Sequence, residues 1–298
     1  MNNSFFNNLF SYIKQLNWFI SLFFSLLILL ILKYFFIDIV KVNSKDMEPN
    51  FYYGDVLLIN KMATTFKHGD CIWFSVPTDD SVEINTKSMQ RLLGLPGDSL
   101  LIKEKQIFIN GLLKEDSVPI KKNYILKTNK IWLDSIDFFN LEITEYQKIS
   151  DYFDYGLSLE NWQVDSIKAK KWFVSIEEKI EKPFNFDEMC YPYNQIYAWN
   201  MDNYGTIYIP KKNDTIVLTD SSIVLYRKII EEFENNKIEI INDSIFINKI
   251  YSNKYVIKQN YYFTLSDNRD NAVDSRQWGF IPESNIVGRV IYLIKRNK

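Results

Sequence analysis

From Leu16 to Leu32 the chain runs seventeen residues without a charge, Leu-Asn-Trp-Phe-Ile-Ser-Leu-Phe-Phe-Ser-Leu-Leu-Ile-Leu-Leu-Ile-Leu, and the apolar character resumes past Lys33 through Tyr34-Phe35-Phe36-Ile37. A helix needs about 20 apolar residues to cross a bilayer, and within hydrocarbon only a helix or a closed barrel satisfies every backbone amide. Lys33 lies about one turn from the end of the run, where its stem can snorkel toward the headgroups. Trp18 and Tyr34 stand where interfacial aromatics belong. Residues 16–37 therefore predict one transmembrane helix, preceded by a short N-terminal segment, residues 1–15. A cleavable signal peptide is the competing reading, but the run is too long for one and no small-x-small site follows it. Charge orients the helix poorly, since only Lys14 precedes it while Lys33, Lys41 and Lys45 follow.

The remaining composition excludes several classes. Lys and Arg number 35 against 37 Asp and Glu, for a net charge of -2, and no basic stripe stands out, so no nucleic-acid partner is expected. His68 is the only histidine, and beside Gly69-Asp70 it reads as a turn residue; no Cys/His spacing suggests a metal, and no cofactor motif occurs. The two cysteines, Cys71 and Cys190, leave a disulfide open. Cys71 lies in a buried-strand pattern and reads as an inert core thiol.

Past the span the chain reads as short β segments punctuated by Gly, Pro and Asp. Val56 to Asn60, Cys71 to Val76, Ser99 to Lys103 and Gln106 to Asn110 are rich in branched and aromatic residues, several alternating with polar ones. Lys105-Gln-Ile-Phe-Ile-Asn110 is echoed by Asp243-Ser-Ile-Phe-Ile-Asn248, which reads as coincidence between two β-rich stretches and not as a repeat. Ser221 to Asn235 reads as a helix capped by Thr219 or Asp220, with Ile223, Leu225, Tyr226, Ile229, Ile230 and Phe233 at roughly helical spacing. Ile136 to Ile149 and Trp172 to Ile180 carry mixed helix and strand signals. The charged run from Glu177 to Lys182 reads as a solvated face.

Three blocks are more specific. Ser44-Lys45-Asp46-Met47-Glu48-Pro49, followed by Gly54-Asp55, resembles the segment of type I signal peptidases in which a serine stands directly before Met-x-Pro. Met89-Gln90-Arg91-Leu92-Leu93-Gly94-Leu95-Pro96-Gly97-Asp98 is similar to the strand of that family that carries a lysine general base beside an arginine, then Gly-x-Pro-Gly-Asp. Ser266-Asp267-Asn268-Arg269, continuing to Asp274-Ser275-Arg276-Gln277-Trp278-Gly279, is similar to its Gly-Asp-Asn-Arg box. Tyr197 to Gly205 and Ile209 to Asp214 resemble stretches of signal peptidases from Bacteroidota. The resemblance implies a mainly β fold: a signal peptidase-like antiparallel β-sheet domain over residues 38–111 and 206–298, with an inserted region, 112–205, whose own fold the sequence leaves open. It also implies a single-pass protein of the cell inner membrane, with its main domain on the periplasmic side.

The same likeness exposes what is missing. The family's nucleophile position holds Asp46 and its general-base position Gln90; the lysine-supporting serine is Ala272, and the glycine opening the box is Ser266. A buried lysine loses its proton near neutral pH and can then accept one from a serine. A glutamine amide has no titratable nitrogen. A carboxylate at 46 places negative charge where an oxyanion must develop. An aspartic-protease mechanism needs two carboxylates sharing a proton, and Glu48 lies about 7 Å of strand away. Lys87 and Lys45 sit at odd offsets from positions 90 and 46, hence on opposite faces of an extended chain. Asp46 and Gln90 are expected to hydrogen-bond each other across the vacated site.

The resemblance assigns Ser44 to a serine that assists the oxyanion site. It assigns Asp267, Arg269, Asp274 and Arg276 to charges that brace the groove. The reading is a membrane-anchored pseudopeptidase that binds exported preproteins or signal peptides, or pairs with an active signal peptidase. The alternative is an active signal peptidase working through another arrangement.

Overall fold

The computed structural model describes residues 18–77, 86–129, 133, 135–149 and 154–297. The N-terminal segment, residues 1–15 with Lys14, and the first two residues of the expected span lie outside these. A helix over Trp18–Phe36, with mean hydropathy 2.4, buries none of its apolar window against the rest of the chain. Its last turn, Leu32–Phe36, is π-helical, and the backbone passes directly into strand Ile37–Lys41. The helix is thus long and apolar enough to cross a membrane and ends on the edge of a sheet.

That sheet is mainly antiparallel and has seven strands, in the order Ile37–Lys41, Val56–Asn60, Ile286–Lys295, Cys71–Ser75, Lys87–Gly94, Tyr261–Leu265 and Ile281–Pro282. Burial follows strand position. In Val56–Asn60, Leu57 and Ile59 are fully buried while their neighbours are only partly so, the period-2 signature of a one-sided strand. Ser88 through Gly94 and all of Tyr261–Leu265 are buried, as strands covered on both faces must be. A second sheet, ordered Tyr204–Tyr208, Ser99–Lys103, Gln106–Ile109 and Leu112–Lys114, packs beside the first. Gly94 leaves no room for a side chain: a Cβ there would lie 1.9 Å from Ile209 Cδ1 and 3.0 Å from Phe263 Cβ, its partner across the sheet.

One turn recurs four times. Asp55, Asp70, Asp98 and Asp214 each accept a side-chain hydrogen bond from the backbone N–H three residues back, on Tyr52, Lys67, Leu95 and Lys211, all at 2.9 Å. The residue before each aspartate has positive φ: Gly54, Gly69, Gly97 and Asn213. These are turns in which the third residue must be left-handed, so glycine or asparagine occupies it, and the aspartate closes the ring. His68 sits inside one of them with Nε2 2.7 Å from Asp98 Oδ2, a turn residue as its sequence context suggests.

The sequence echo has a structural counterpart. Ser99–Lys103, Gln106–Ile109 and Leu112–Lys114 form one three-stranded meander; Ile238–Ile241, Ser244–Ile247 and Ile250–Tyr251 form another. Each is joined by two-residue turns with positive φ at both positions, Glu104-Lys105 and Asn110-Gly111 in the first, Asn242-Asp243 and Asn248-Lys249 in the second. Asn110 Oδ1 accepts from Ser99 N and Asn248 Oδ1 from Lys237 N, both at 2.9 Å. The likeness is one of hairpin chemistry: the same pair of tight turns recurs, and both second turns open on an asparagine, Asn110 and Asn248.

Residues between the two halves of the main sheet form their own antiparallel sheet, ordered Phe173–Glu178, Lys122–Thr128, Asp154–Leu159 and Tyr146–Lys148. Helix Asn161–Lys168 and the short helix Ser135–Phe139 complete it around a separate apolar cluster that includes Leu126, Leu157, Leu159 and Ile167. The expected helix near residue 221 begins at Asp220, capped by Thr219, whose side chain accepts from Ser222 N; it runs to Lys228 and continues as a π-helical turn to Phe233. Cys71 and Cys190 are both buried and unpaired. Burial pushes the Cys71 thiol up to about 12, so it is the inert core thiol its strand suggested.

Candidate active-site region

Strands Lys87–Gly94 and Tyr261–Leu265 pair with Leu265 opposite Arg91 and Thr264 opposite Leu92. This register brings Gln90 and Arg91 against the residues that follow the second strand, Ser266 and Asp267. Gln90 is fully buried. Its Nε2 donates to Ser266 Oγ at 3.1 Å and to the Val273 carbonyl at 2.6 Å, and its Oε1 accepts from Thr264 Oγ1 at 2.5 Å. Thr264 in turn meets Ser275, whose hydroxyl lies 3.0 Å from Thr264 Oγ1 and accepts from Thr264 N at 3.0 Å. Ala272, half-buried, precedes the carbonyl that Gln90 binds. Positions 90, 266 and 272–273 therefore converge, and both ends of the carboxamide are engaged.

Thr264 and Ser275 were missed in the sequence. A signal existed for Thr264, which shares a strand face with Ser266 by its two-residue offset. Ser275 carried none, because its approach depends on the chain doubling back between Asn268 and Asp274.

Asp46 sits at the head of the turn that follows the edge strand Ile37–Lys41. Ser44 Oγ donates to Asp46 Oδ2 at 2.8 Å. The Asp46 carbonyl accepts from Asn268 N at 2.9 Å, so the third block holds the first in place. Burial raises the Asp46 carboxyl above its ordinary value; the Ser44 hydroxyl opposes this and the charge of Asp274 adds to it. The expected hydrogen bond between Asp46 and Gln90 does not form. Ser44 supplies the partner of the first, while Ser266, Thr264 and Val273 occupy the second.

The four charges expected to brace the groove, Asp267, Arg269, Asp274 and Arg276, find specific partners. Arg91 grips Asp267 with two bonds, Nε to Oδ1 at 2.7 Å and Nη2 to Oδ2 at 2.6 Å, and Asn50 Nδ2 donates to the same carboxylate at 2.8 Å. Burial works against the Arg91 charge, yet Asp267 holds its proton more firmly than usual. Asp274 takes Arg276 Nε at 2.9 Å and Nη2 at 2.8 Å, and caps the turn Ser275–Trp278 through Arg276 N. Arg269 reaches Asp116 at 2.9 Å. Nonlocal partners such as Asp116 have no local sequence signal.

The substitute groups are otherwise employed. Glu48 pairs with the buried Lys121 at 3.3 Å. Lys45 is exposed and lies 3.6 Å from Glu145. Among the described residues no three His, Cys, Asp or Glu side chains are placed to hold a metal ion.

Comparison with known proteins agrees with this arrangement. The family described as "Signal peptidase, peptidase S26" matches residues 15–176 and 206–294. A signal peptidase I of Buchnera aphidicola subsp. Baizongia pistaciae is 24% identical over 296 residues, covering 92% of this chain and 75% of that relative. One from Aquifex aeolicus is 23% identical over 288 residues, covering 92% and 82%. One from Haemophilus influenzae is 24% identical over 276 residues, covering 92% and 67%. With a family match spanning most of its length, and with the three motif blocks folded against one another, this chain belongs to the signal peptidase family, peptidase S26.

Proposed function

We propose that this protein is a membrane-anchored pseudopeptidase that receives signal-peptide-bearing preproteins without cleaving them. Acyl transfer of the Ser/Lys kind needs a nucleophile that loses its proton and a base that takes it. The observation that carries the reading is Gln90: a fully buried, untitratable amide whose nitrogen and oxygen are both consumed by neighbours. Asp46 adds a carboxylate where negative charge on an oxyanion would be opposed. On this reading Ala272 and Ser266 are the relaxed supports of a base no longer present, and Ser44 has turned from oxyanion assistance to holding Asp46. Asp267, Arg269, Asp274 and Arg276 keep the groove braced.

Binding does not require the missing pair. The edge strand Ile37–Lys41 runs directly into the Ser44 turn, and strand addition at such an edge uses backbone groups and side-chain pockets only. On this reading residues 38–111 and 206–298 form the peptidase-like core and 112–205 the inserted region, whose ends, Leu112–Lys114 and Tyr204, join the second sheet of that core, and the main domain stands on the periplasmic face of the inner membrane, in position to meet exported chains or an active signal peptidase.

The test uses the detergent-solubilised full chain with a radiolabelled preprotein. The expected result is crosslinking of the signal peptide with no cleavage. Cleavage after a small-x-small motif that disappears in Asp46→Ala overturns the reading in favour of an active signal peptidase.

A further inference from the structure

Beside the Ser44-to-Pro49 turn lies a cavity of about 430 Å³, walled on the other side by the sheet-and-helix unit that contains Asp154–Leu159 and Asn161–Lys168. Its wall carries three carboxylates, Glu48, Glu142 and Glu160. One cation, Lys121, shares that wall, with its ammonium 3.3 Å from Glu48 and 3.7 Å from Glu145 outside it. The lining is thus two negative charges in excess. Two aromatic rings, Tyr52 and Trp162, face the same space and are 38% and 44% exposed, so they are open to a ligand.

A second observation is independent of the charge. Ser158 lines the cavity, is 5% exposed, and its hydroxyl has no hydrogen-bond partner. A buried hydroxyl left alone costs about 1–3 kcal/mol, which a ligand donor reaching it removes. The surrounding field is consistent: burial raises the Tyr52 hydroxyl, and Glu160, Glu48 and Glu142 all add to the rise while Arg296 opposes it. Arg296 already stacks its guanidinium 5.3 Å from the Tyr52 ring centroid, so that ring accepts cations.

We propose that this cavity binds a basic side chain, an arginine or lysine, of a polypeptide segment lying across the Ser44-to-Pro49 turn. Carboxylates supply the counter-charge, the rings of Tyr52 and Trp162 take the flat or methylene part, and the Ser158 hydroxyl accepts a hydrogen bond from an N–H of the head group. The volume exceeds that of one side chain and leaves room for the main chain that carries it. A bare metal ion is a poor fit, because among the described residues no three His, Cys, Asp or Glu side chains, these three carboxylates included, come close enough together to hold one. The site does not involve Asp46 or Gln90, so it holds whichever way the cleavage assay falls.

The test is fluorescence anisotropy with the full chain in detergent and labelled five-residue peptides, Gly-Ala-X-Ala-Gly, where X is arginine, lysine, citrulline or glutamate. Arginine and lysine peptides are expected to bind saturably. Citrulline, nearly the same shape without the charge, and glutamate are expected to bind at least about tenfold more weakly. Glu142→Gln should weaken the arginine peptide about fivefold with no change in melting temperature, since Glu142 is exposed and the substitution keeps its shape. Ser158→Ala should weaken it without destabilising the protein, because the hydroxyl makes no internal bond. Equal affinity for arginine and citrulline peptides, an unchanged affinity in Glu142→Gln, or no saturable binding up to about 5 mM overturns the proposal.

Discussion

A lysine placed at position 90 tests how dry the site around Gln90 is. Gln90 is fully buried, and the acceptors around its nitrogen, Ser266 Oγ and the Val273 carbonyl, would remain for an amine. An ammonium entering that space must shed its water. Buried lysines are known with pKa values of about 5–6, against about 10.4 in an unfolded chain. At pH 7 the unfolded chain then holds a proton that the folded one lacks, a cost of about 1.4 kcal/mol for each of roughly 3.4 units, or about 4–5 kcal/mol. The sign follows from the depressed folded-state value: the deficit is greatest at low pH, shrinks as pH rises between the folded and unfolded values, and is gone above about 10.4. One kcal/mol corresponds to about 2 °C of melting temperature in a chain this size. The comparison is Asp46→Ser/Gln90→Lys against Asp46→Ser alone, so that no carboxylate at position 46 steadies the charge. Tryptophan fluorescence melts in detergent should show a gap of about 8–10 °C at pH 7 that closes to about 1 °C at pH 10. A gap that stays constant over that range means the lysine enters charged or reaches solvent, and the reading of position 90 as a sealed, untitratable site fails.

Other perturbations address the frame. Because burial raises the Asp46 carboxyl, its ionisation opposes folding; Asp46→Asn should melt higher than the parent at pH 7, with the difference fading as pH falls toward the ordinary carboxylate value, and a difference independent of pH contradicts the assignment. Arg91→Met strands the fully buried Asp267 carboxylate and should cost about 3–5 kcal/mol, a drop of about 6–10 °C, part of which Asp267→Asn restores when added; a loss under about 2 °C would show that solvent reaches the pair. Gly94→Ala drives a methyl into Ile209 Cδ1 and should cost about 1–3 kcal/mol, with Ile209→Val recovering part of it; full stability in the single variant would mean the Ile209 side chain moves aside readily.

The motif blocks made much of the site legible in the sequence, because each is a local device. The Gly-Asp pairs at 54–55 and 97–98 carry their own turn geometry, and the alternation in Val56–Asn60 carries its own burial. The sheet between residues 122 and 178 was opaque for a matching reason. Strand Phe173–Glu178 is half-buried along most of its length, and Lys122–Thr128 begins with a run of partly buried residues, so neither shows a clean period. The partners of the buried charges were equally hidden: Arg269 finds Asp116, 153 positions away, and Glu48 finds Lys121 across 73. Long-range pairs are chosen by topology, and nothing near either residue announces the other. The expected bond between Asp46 and Gln90 failed on the same ground, since strand pairing brings Thr264 and Ser266 to the amide and they engage both its ends.

The two kinds of group at this site differ in how they respond to loss. Removing one member of Arg91–Asp267 or Asp274–Arg276 leaves an uncompensated buried charge, so selection for a stable fold alone retains both pairs. A buried lysine base is the opposite case: it is held in a medium that disfavours its charge, and its contribution to stability is negative. Glutamine at 90 fills a similar volume, bonds Ser266, Thr264 and Val273 without titrating, and removes that penalty. If, as proposed, turnover is not required, glutamine in place of a buried lysine stabilises the protein, while replacing Arg91, Asp267, Asp274 or Arg276 destabilises it. On the proposed reading, a frame kept whole around a neutralised centre is the outcome those two free energies dictate, and the edge strand Ile37–Lys41 and the acidic cavity beside the Ser44 turn keep a rigid support.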